Sequence, residues 1–131
     1  MAYFNQEMKA AKAPAIKVLA KEYGVSLSLK VANNTKFVAN IKAGAVDFFN
    51  EMNDDAYHNP TYTKENRYMQ VTRDIAYGFT NGKAREFLTK LQRIMMQGNH
   101  DNSDSMTDYF DVGWYVGINI GDYGKPYQMT A

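Results

Sequence analysis

Apolar residues near the start of the chain recur with the period of a helix. The steps of three, four and seven between them place one stripe along a single helical face, while four lysines fall elsewhere. Pro14 interrupts the pattern and predicts a kink or a restart, and Gly24 supplies a residue suited to end a helix. The pattern predicts an amphipathic helix, and its apolar members are Phe4, Met8, Ala15, Ile16, Leu19 and Tyr23.

The next segment, "VSLSLKVANNTKFVANIKAG", changes to alternation with a period of two. Apolar residues alternate with serine and lysine from Val25 to Val31, and again with lysine and asparagine from Lys36 to Lys42. Asn33 and Asn34 lie between the two runs, and asparagine tolerates the positive φ angles of a tight turn. The segment therefore predicts a β-hairpin with one apolar face, which the preceding helix can cover.

The second half of the chain repeats these two signals after a weaker stretch. Residues 44–66 predict a short helical turn and then a polar, tyrosine-bearing loop, and "RYMQVTRDIAYGF" predicts a third strand. Thr80 and Asn81 are suitable helix N-caps, and Gly98 follows the last residue of the next helical stripe. That stripe comprises Ala84, Phe87, Leu88, Leu91, Ile94 and Met95, and a final alternating strand contains Trp114, Val116, Ile118 and Ile120.

Together these elements predict a single α+β domain spanning residues 1–131. The expected order is helix, strand, strand, strand, helix, strand, with an antiparallel sheet of about four strands covered on one face by the two helices. Trp114 heads the apolar face of the last strand, so we expect it to be buried beneath the second helix, near Phe87 and Leu91.

Composition narrows the function classes. The chain has 131 residues, a formal net charge of +1 and no cysteine. A nearly neutral chain has no global field that would steer it to DNA or to a membrane surface, and the lack of cysteine fits a reducing compartment. We therefore expect a soluble intracellular protein without disulfides or cysteine metal sites.

Two polar segments are candidate partner-binding surfaces. The tyrosine-bearing loop contains Tyr57, His58 and Tyr62, and tyrosine is enriched at protein interfaces. The stretch "HDNSDSMTDYFD" contains four aspartates, and Asp101, Asp104 and Tyr109 are its candidate contact residues. Asp, Asn and Ser also bond to nearby backbone amides, so a turn-forming role for this stretch remains open.

Two alternatives use other residues. A nucleic-acid-binding module would use the region where basic residues outnumber acids, namely Arg67, Arg73, Lys83, Arg85, Lys90 and Arg93. A metal-dependent enzyme would use Asp101, Asp104 and Asp108, although their spacing lacks the glycine and closing glutamate of an EF-hand. No nucleophile or phosphate-loop motif occurs, so the sequence favours binding over catalysis and predicts no cofactor or resident metal.

The stretch "GNHDNSDSMTDYFDVGWYVGINIG", together with "KPYQMTA", "GKAREFLTKL" and "QEMKAAKAP", resembles a family of small uncharacterised proteins of phages and other mobile elements. Members share a C-terminal "DNSD-x-x-TDYF-x-VGWY" signature and are distantly similar to large polyvalent protein-associated domains. The likeness spans nearly the whole chain, except that the segment from Asp54 to Asn66 does not match the family pattern.

The resemblance implies a viral or plasmid origin and the cytoplasm of a host cell. It carries no established activity or catalytic residue. The leading hypothesis is a phage accessory protein that binds a host protein and inhibits a defence system, as an anti-CRISPR or other anti-defence protein does. Homo-oligomerisation stays open, and no membrane partner is expected.

Overall fold

A computed structural model describes residues 3–57, 59–71, 74–79, 82–98, 113–122 and 125–130. Its helices are α1 (Gln6–Tyr23), α2 (Phe48–Glu51), a 3-10 turn η1 (Asp54–Ala56), α3 (Pro60–Asn66), α4 (Ile75–Gly78) and α5 (Gly82–Met96). Its strands are β1 (Val25–Ala32), β2 (Lys36–Gly44), β3 (Met69–Gln70), β4 (Tyr115–Ile120) and β5 (Gln128–Met129). The prediction of an α+β fold is confirmed.

Helix α1 begins and ends at residues whose chemistry suits these positions. The Asn5 side chain accepts a hydrogen bond from the backbone N–H of Met8 at 2.8 Å. Gly24 adopts a left-handed conformation with φ of 67°, and its N–H donates to carbonyls of the last turn. Pro14 does not cause a restart, because one helix runs from Gln6 to Tyr23.

The predicted hairpin of β1 and β2 is confirmed. Asn33 and Asn34 both have φ of 54°, as a tight turn between two twisted strands requires. The strands pair antiparallel, and Lys42 is the extra residue of a β-bulge, because Ser26 pairs with Ala43 while Leu27 pairs with Ile41.

The sheet is mixed, whereas the sequence predicted an antiparallel one. In the order β1-β2-β4-β3, β4 runs parallel to β2 and antiparallel to β3. Short β5 continues the parallel pairing beyond β4 at Ala43 and Gly44. A parallel pair needs a long crossover, and the segment between β2 and β4, which contains α2 to α5, provides it.

Two segments between β2 and α5 differ from expectation. The predicted loop from Asp54 to Asn66 contains η1 and α3, and α3 begins at Pro60 behind the cap residue Asn59. The third strand comprises only Met69–Gln70. The end of the predicted strand instead forms the short helix α4, which Asp74 caps, so the predicted strand was too long.

The core lies between the sheet and the helices α1 and α5, which pack against each other. The apolar stripe of α5 faces the core as predicted, with Phe87, Leu88 and Leu91 fully enclosed and Ile94 partly buried. Trp114 is 6% exposed, and its indole Nε1 donates to the carbonyl of Met95 at 3.0 Å. Its burial is therefore confirmed, but its indole is bonded to Met95 at the C-terminal end of α5, about one helical turn beyond the predicted neighbour Leu91.

Candidate binding surfaces

The structure separates the tyrosines that the sequence grouped together. Tyr57 is half-buried, and its ring packs edge-on against Phe79 with the centroids 6.3 Å apart. Tyr62 lies in α3 and remains 53% exposed. His58 lies outside the described residues. Tyr57 is therefore placed as a packing residue, while Tyr62 is available for contact.

A second exposed tyrosine, Tyr77, lies close to the turn η1, and the sequence pattern did not single it out. Tyr77 of α4 is 52% exposed, and its hydroxyl donates to the carbonyl of Asp55 at 3.2 Å. On the other side of η1, the ammonium of Lys64 in α3 lies 2.8 Å from a carboxylate oxygen of Asp54. The turn η1 therefore links α3 to α4, and Tyr62 and Tyr77 flank it.

We call this region the tyrosine surface, and it consists of Asp54, Asp55, Tyr62, Glu65 and Tyr77. All five are exposed, and three of them are acidic. The backbone beneath is held by Asn53, whose N–H donates to the carbonyl of Gly78 at 2.7 Å. Large aromatic area beside polar atoms on a fixed backbone is typical of a protein interface.

The predicted nucleic-acid residues fall in two places. Lys83, Arg85, Lys90 and Arg93 line a shallow groove along the outer side of α5. Arg67 lies apart at the end of α3, with its guanidinium 5.9 Å from the ring centre of Phe49. Arg73 is outside the described residues.

The basic side of α5 is electrostatically mixed. Lys90 donates to the Tyr23 hydroxyl at 2.9 Å, and this hydrogen bond, with nearby Glu22 and Glu86, raises the pKa of the Lys90 ammonium. Lys83 lies 4.0 Å from Glu86. Glu86 lines the same groove, and its carboxylate reduces the attraction of the neighbouring basic residues for phosphate.

The sheet face opposite the core carries a more uniform set of side chains. Phe37, Ala39 and Ile41 of β2 point into the core, so the residues between them point away from it. We call this side the open face, and it comprises Ser26, Ser28, Lys30, Lys36, Val38, Asn40, Lys42, Gln70, Tyr115, Gly117 and Asn119.

Contacts across the strands confirm that these residues share one side. Lys36 extends over β4, and a Cβ placed on Gly117 would stand 2.8 Å from its Cε. The Asn119 side chain donates to the Asn40 side chain at 3.0 Å. Lys30, Lys36, Lys42 and Gln70 are exposed, and Tyr115 is 51% exposed. The alternation of lysine with apolar residues in β2 was the sequence signal for this surface.

The acidic candidates Asp101, Asp104, Asp108 and Tyr109 lie outside the described residues. Within the part of the chain that the structure describes, no cluster of three histidines or acids is arranged to hold a metal ion. None of the helices described there combines the length and apolar character needed to cross a membrane.

Comparison with models of known protein families, with curated proteins and with solved structures finds no match for this chain.

Proposed function

We propose that the protein is an accessory protein of a phage or another mobile element, which acts by binding a host protein and inhibits a defence system. The tyrosine surface is the contact region of this proposal. Its target is a component of the host defence machinery, as for an anti-CRISPR or other anti-defence protein, and the protein performs no chemistry of its own.

One observation carries the proposal: Tyr62 and Tyr77 are each more than half exposed and flank the turn η1. A hydrogen bond connects η1 to α4, and an ion pair connects it to α3. Tyrosine contributes a large contact area and loses little side-chain entropy, so exposed tyrosines on fixed backbone are suited to become binding hot spots.

The resemblance of the C-terminal stretch to proteins of mobile elements supports the phage or plasmid origin. The segment from Asp54 to Asn66 is the part that departs from that family pattern, and it contributes every member of the tyrosine surface except Tyr77. A specialised contact is expected where a chain differs from its relatives, which agrees with this location.

The proposal is tested by capture from host cells, followed by measurement of the dissociation constant with the purified captured protein. The double variant Tyr62→Ser and Tyr77→Ser should weaken binding by about 30-fold or more, as for interface hot spots. Tyr3→Ser is the matched control, because Tyr3 is also an exposed tyrosine and lies just before α1.

A thermal melt of each variant confirms that folding is retained. The proposal is wrong if no host protein binds the unmodified chain specifically. It is also wrong if the double variant binds the captured protein as tightly as the Tyr3→Ser control does.

A further inference from the structure

We propose that the open face of the sheet binds single-stranded nucleic acid, with Lys30, Lys36 and Lys42 contacting phosphates and Tyr115 stacking on a base. This site is separate from the tyrosine surface and shares no residue with it. The inference therefore stands or fails independently of the proposed host protein partner.

The open face of the sheet is positively charged. The five described strands contain three lysines and no aspartate or glutamate, and all three lysines lie on the open face. The rest of the chain has twelve basic and fourteen acidic residues, a net charge of −2. A locally positive surface on a nearly neutral protein matches a polyanionic ligand, because each lysine–phosphate contact releases counterions.

The arrangement of the lysines is the second argument. Lys36 and Lys42 lie six residues apart on β2, about 20 Å along the strand. Lys30 lies on the neighbouring strand, opposite Val38, and therefore between them along the sheet. The Lys36 side chain extends over Gly117 of β4, the register partner of Val38, so Lys30 and Lys36 lie on either side of Val38 while Lys42 lies further along β2. The three lysines can therefore contact different phosphates of one extended backbone.

The aromatic residue is the third argument. Tyr115 pairs with Lys36 in the register of β2 and β4, so a stacking ring and a cation stand side by side. Two residues further on, Gly117 presents no side chain of its own on this face. Lys36 extends over this position, so an exposed ring lies beside a cationic side chain on the sheet, an arrangement suited to the unstacked bases and phosphates of a single strand.

Polar side chains beyond the ring complete the surface. Asn40 and Asn119 are joined by their mutual hydrogen bond, and Gln70 is the register partner of Asn119. Amides of this kind offer both donors and acceptors to base edges. A duplex hides its bases in stacks and grooves, so this broad face is suited to single strands rather than to double helices.

The test is fluorescence anisotropy with a labelled twelve-nucleotide oligothymidine, oligouridine of the same length, and a duplex of matched length. Three lysine contacts predict a slope of about −2 for log K against log salt, because each single-strand phosphate contact contributes roughly 0.7. Affinity for the single strands should therefore fall about 20-fold between 50 and 200 mM salt.

Variants on the open face assign the site. The triple variant Lys30→Gln, Lys36→Gln and Lys42→Gln should remove most of the salt dependence. Tyr115→Ser should weaken binding roughly five- to hundred-fold, the range for loss of one stacked base, while Tyr115→Phe retains the ring and should bind as the unmodified chain does. A thermal melt of each variant checks its fold.

The matched control is the triple variant Lys83→Gln, Lys90→Gln and Arg93→Gln, which removes the same charge from α5. It should bind single strands almost normally. The inference is overturned if this control loses binding while the open-face variant keeps it, or if no oligonucleotide binds. Equal affinity for the duplex, or equal binding to a polyglutamate peptide, would also overturn it.

Discussion

The backbone N–H of Ala84 donates to the carboxylate Oε1 of Glu51 at 3.1 Å, across 33 positions of the chain. The first amides of a helix have no partner within the helix, and the positive end of its dipole favours an anionic acceptor. Glu51 of α2 therefore caps α5 and fixes the crossover segment to the second of the two helices that cover the sheet.

Replacing Glu51 by alanine should lower the free energy of unfolding by about 1 kcal/mol, the usual cost of a lost helix cap. Glu51→Gln keeps an oxygen acceptor and should cost less, because only the charge interaction with the helix dipole is removed. Urea unfolding measures both variants. Equal costs would show that charge, and not the hydrogen bond, carries the effect.

Gly82 and Glu51 should be energetically coupled. Gly82 has φ of 93°, and a Cβ at this position would collide with Oε1 of Glu51. Gly82→Ala should therefore cost roughly 1 to 2 kcal/mol in backbone strain and also displace the cap. In the Glu51→Ala background only the strain remains, so a double-mutant cycle should give a non-zero coupling energy.

Gly24→Ala provides the control for this cycle. Gly24 also has a positive φ, but its added Cβ would meet only Ala45 at 3.5 Å, an ordinary contact. Its cost should be the same with Glu51 and with Glu51→Ala, because no shared partner joins the two sites. Coupling of similar size at Gly24 would contradict the capping explanation.

Tyr127 should make the protein sensitive to alkaline pH. Its ring is buried beside Phe48, and its hydroxyl donates to the carbonyl of Val46 at 2.8 Å. Burial is the main cause that raises the pKa of Tyr127 from 10.0 to about 12. The stabilisation is complete below pH 10 and is lost as the pH rises towards 12, because the unfolded state loses the proton first.

The expected alkaline loss from Tyr127 is roughly 2 to 3 kcal/mol, measured by urea unfolding between pH 9 and 12. Tyr127→Phe removes the titrating group and should cost about 1 to 2 kcal/mol at neutral pH, because the Val46 carbonyl loses its donor. The unmodified protein should lose its advantage as the pH rises and become the less stable of the two towards pH 12. A constant difference would refute the assignment.

Truncation of Trp114 to alanine should cost about 3 to 5 kcal/mol, as for other large aromatic residues in a core. Trp114→Phe keeps a ring beside Phe4 but removes the indole donor to Met95, and should cost less. Because the chain has one tryptophan, its fluorescence reports this site directly. Emission typical of water-exposed tryptophan in the folded protein would contradict the burial.

The amino-acid sequence alone determined the local elements. The apolar stripe from Phe87 to Leu91 specifies α5, and Asn33 and Asn34 specify the turn of the hairpin. These signals suffice because helix periodicity, strand alternation and turn conformation depend on residues only a few positions apart. The alternation of lysine with apolar residues in β2 is also visible in the sequence, but the sequence does not say whether another element covers the lysine-bearing face.

Tertiary structure decided the relations between distant segments. Alternation in β4 is the same whether its neighbour runs parallel or antiparallel, so pairing Lys36 with Tyr115 could not be read from the pattern. The cap between Glu51 and Ala84 likewise depends on where the crossover brings α2. In the part of the chain that the structure describes, α1 and α5 pack together on one face of the sheet, and burial of the whole core decides which face that is.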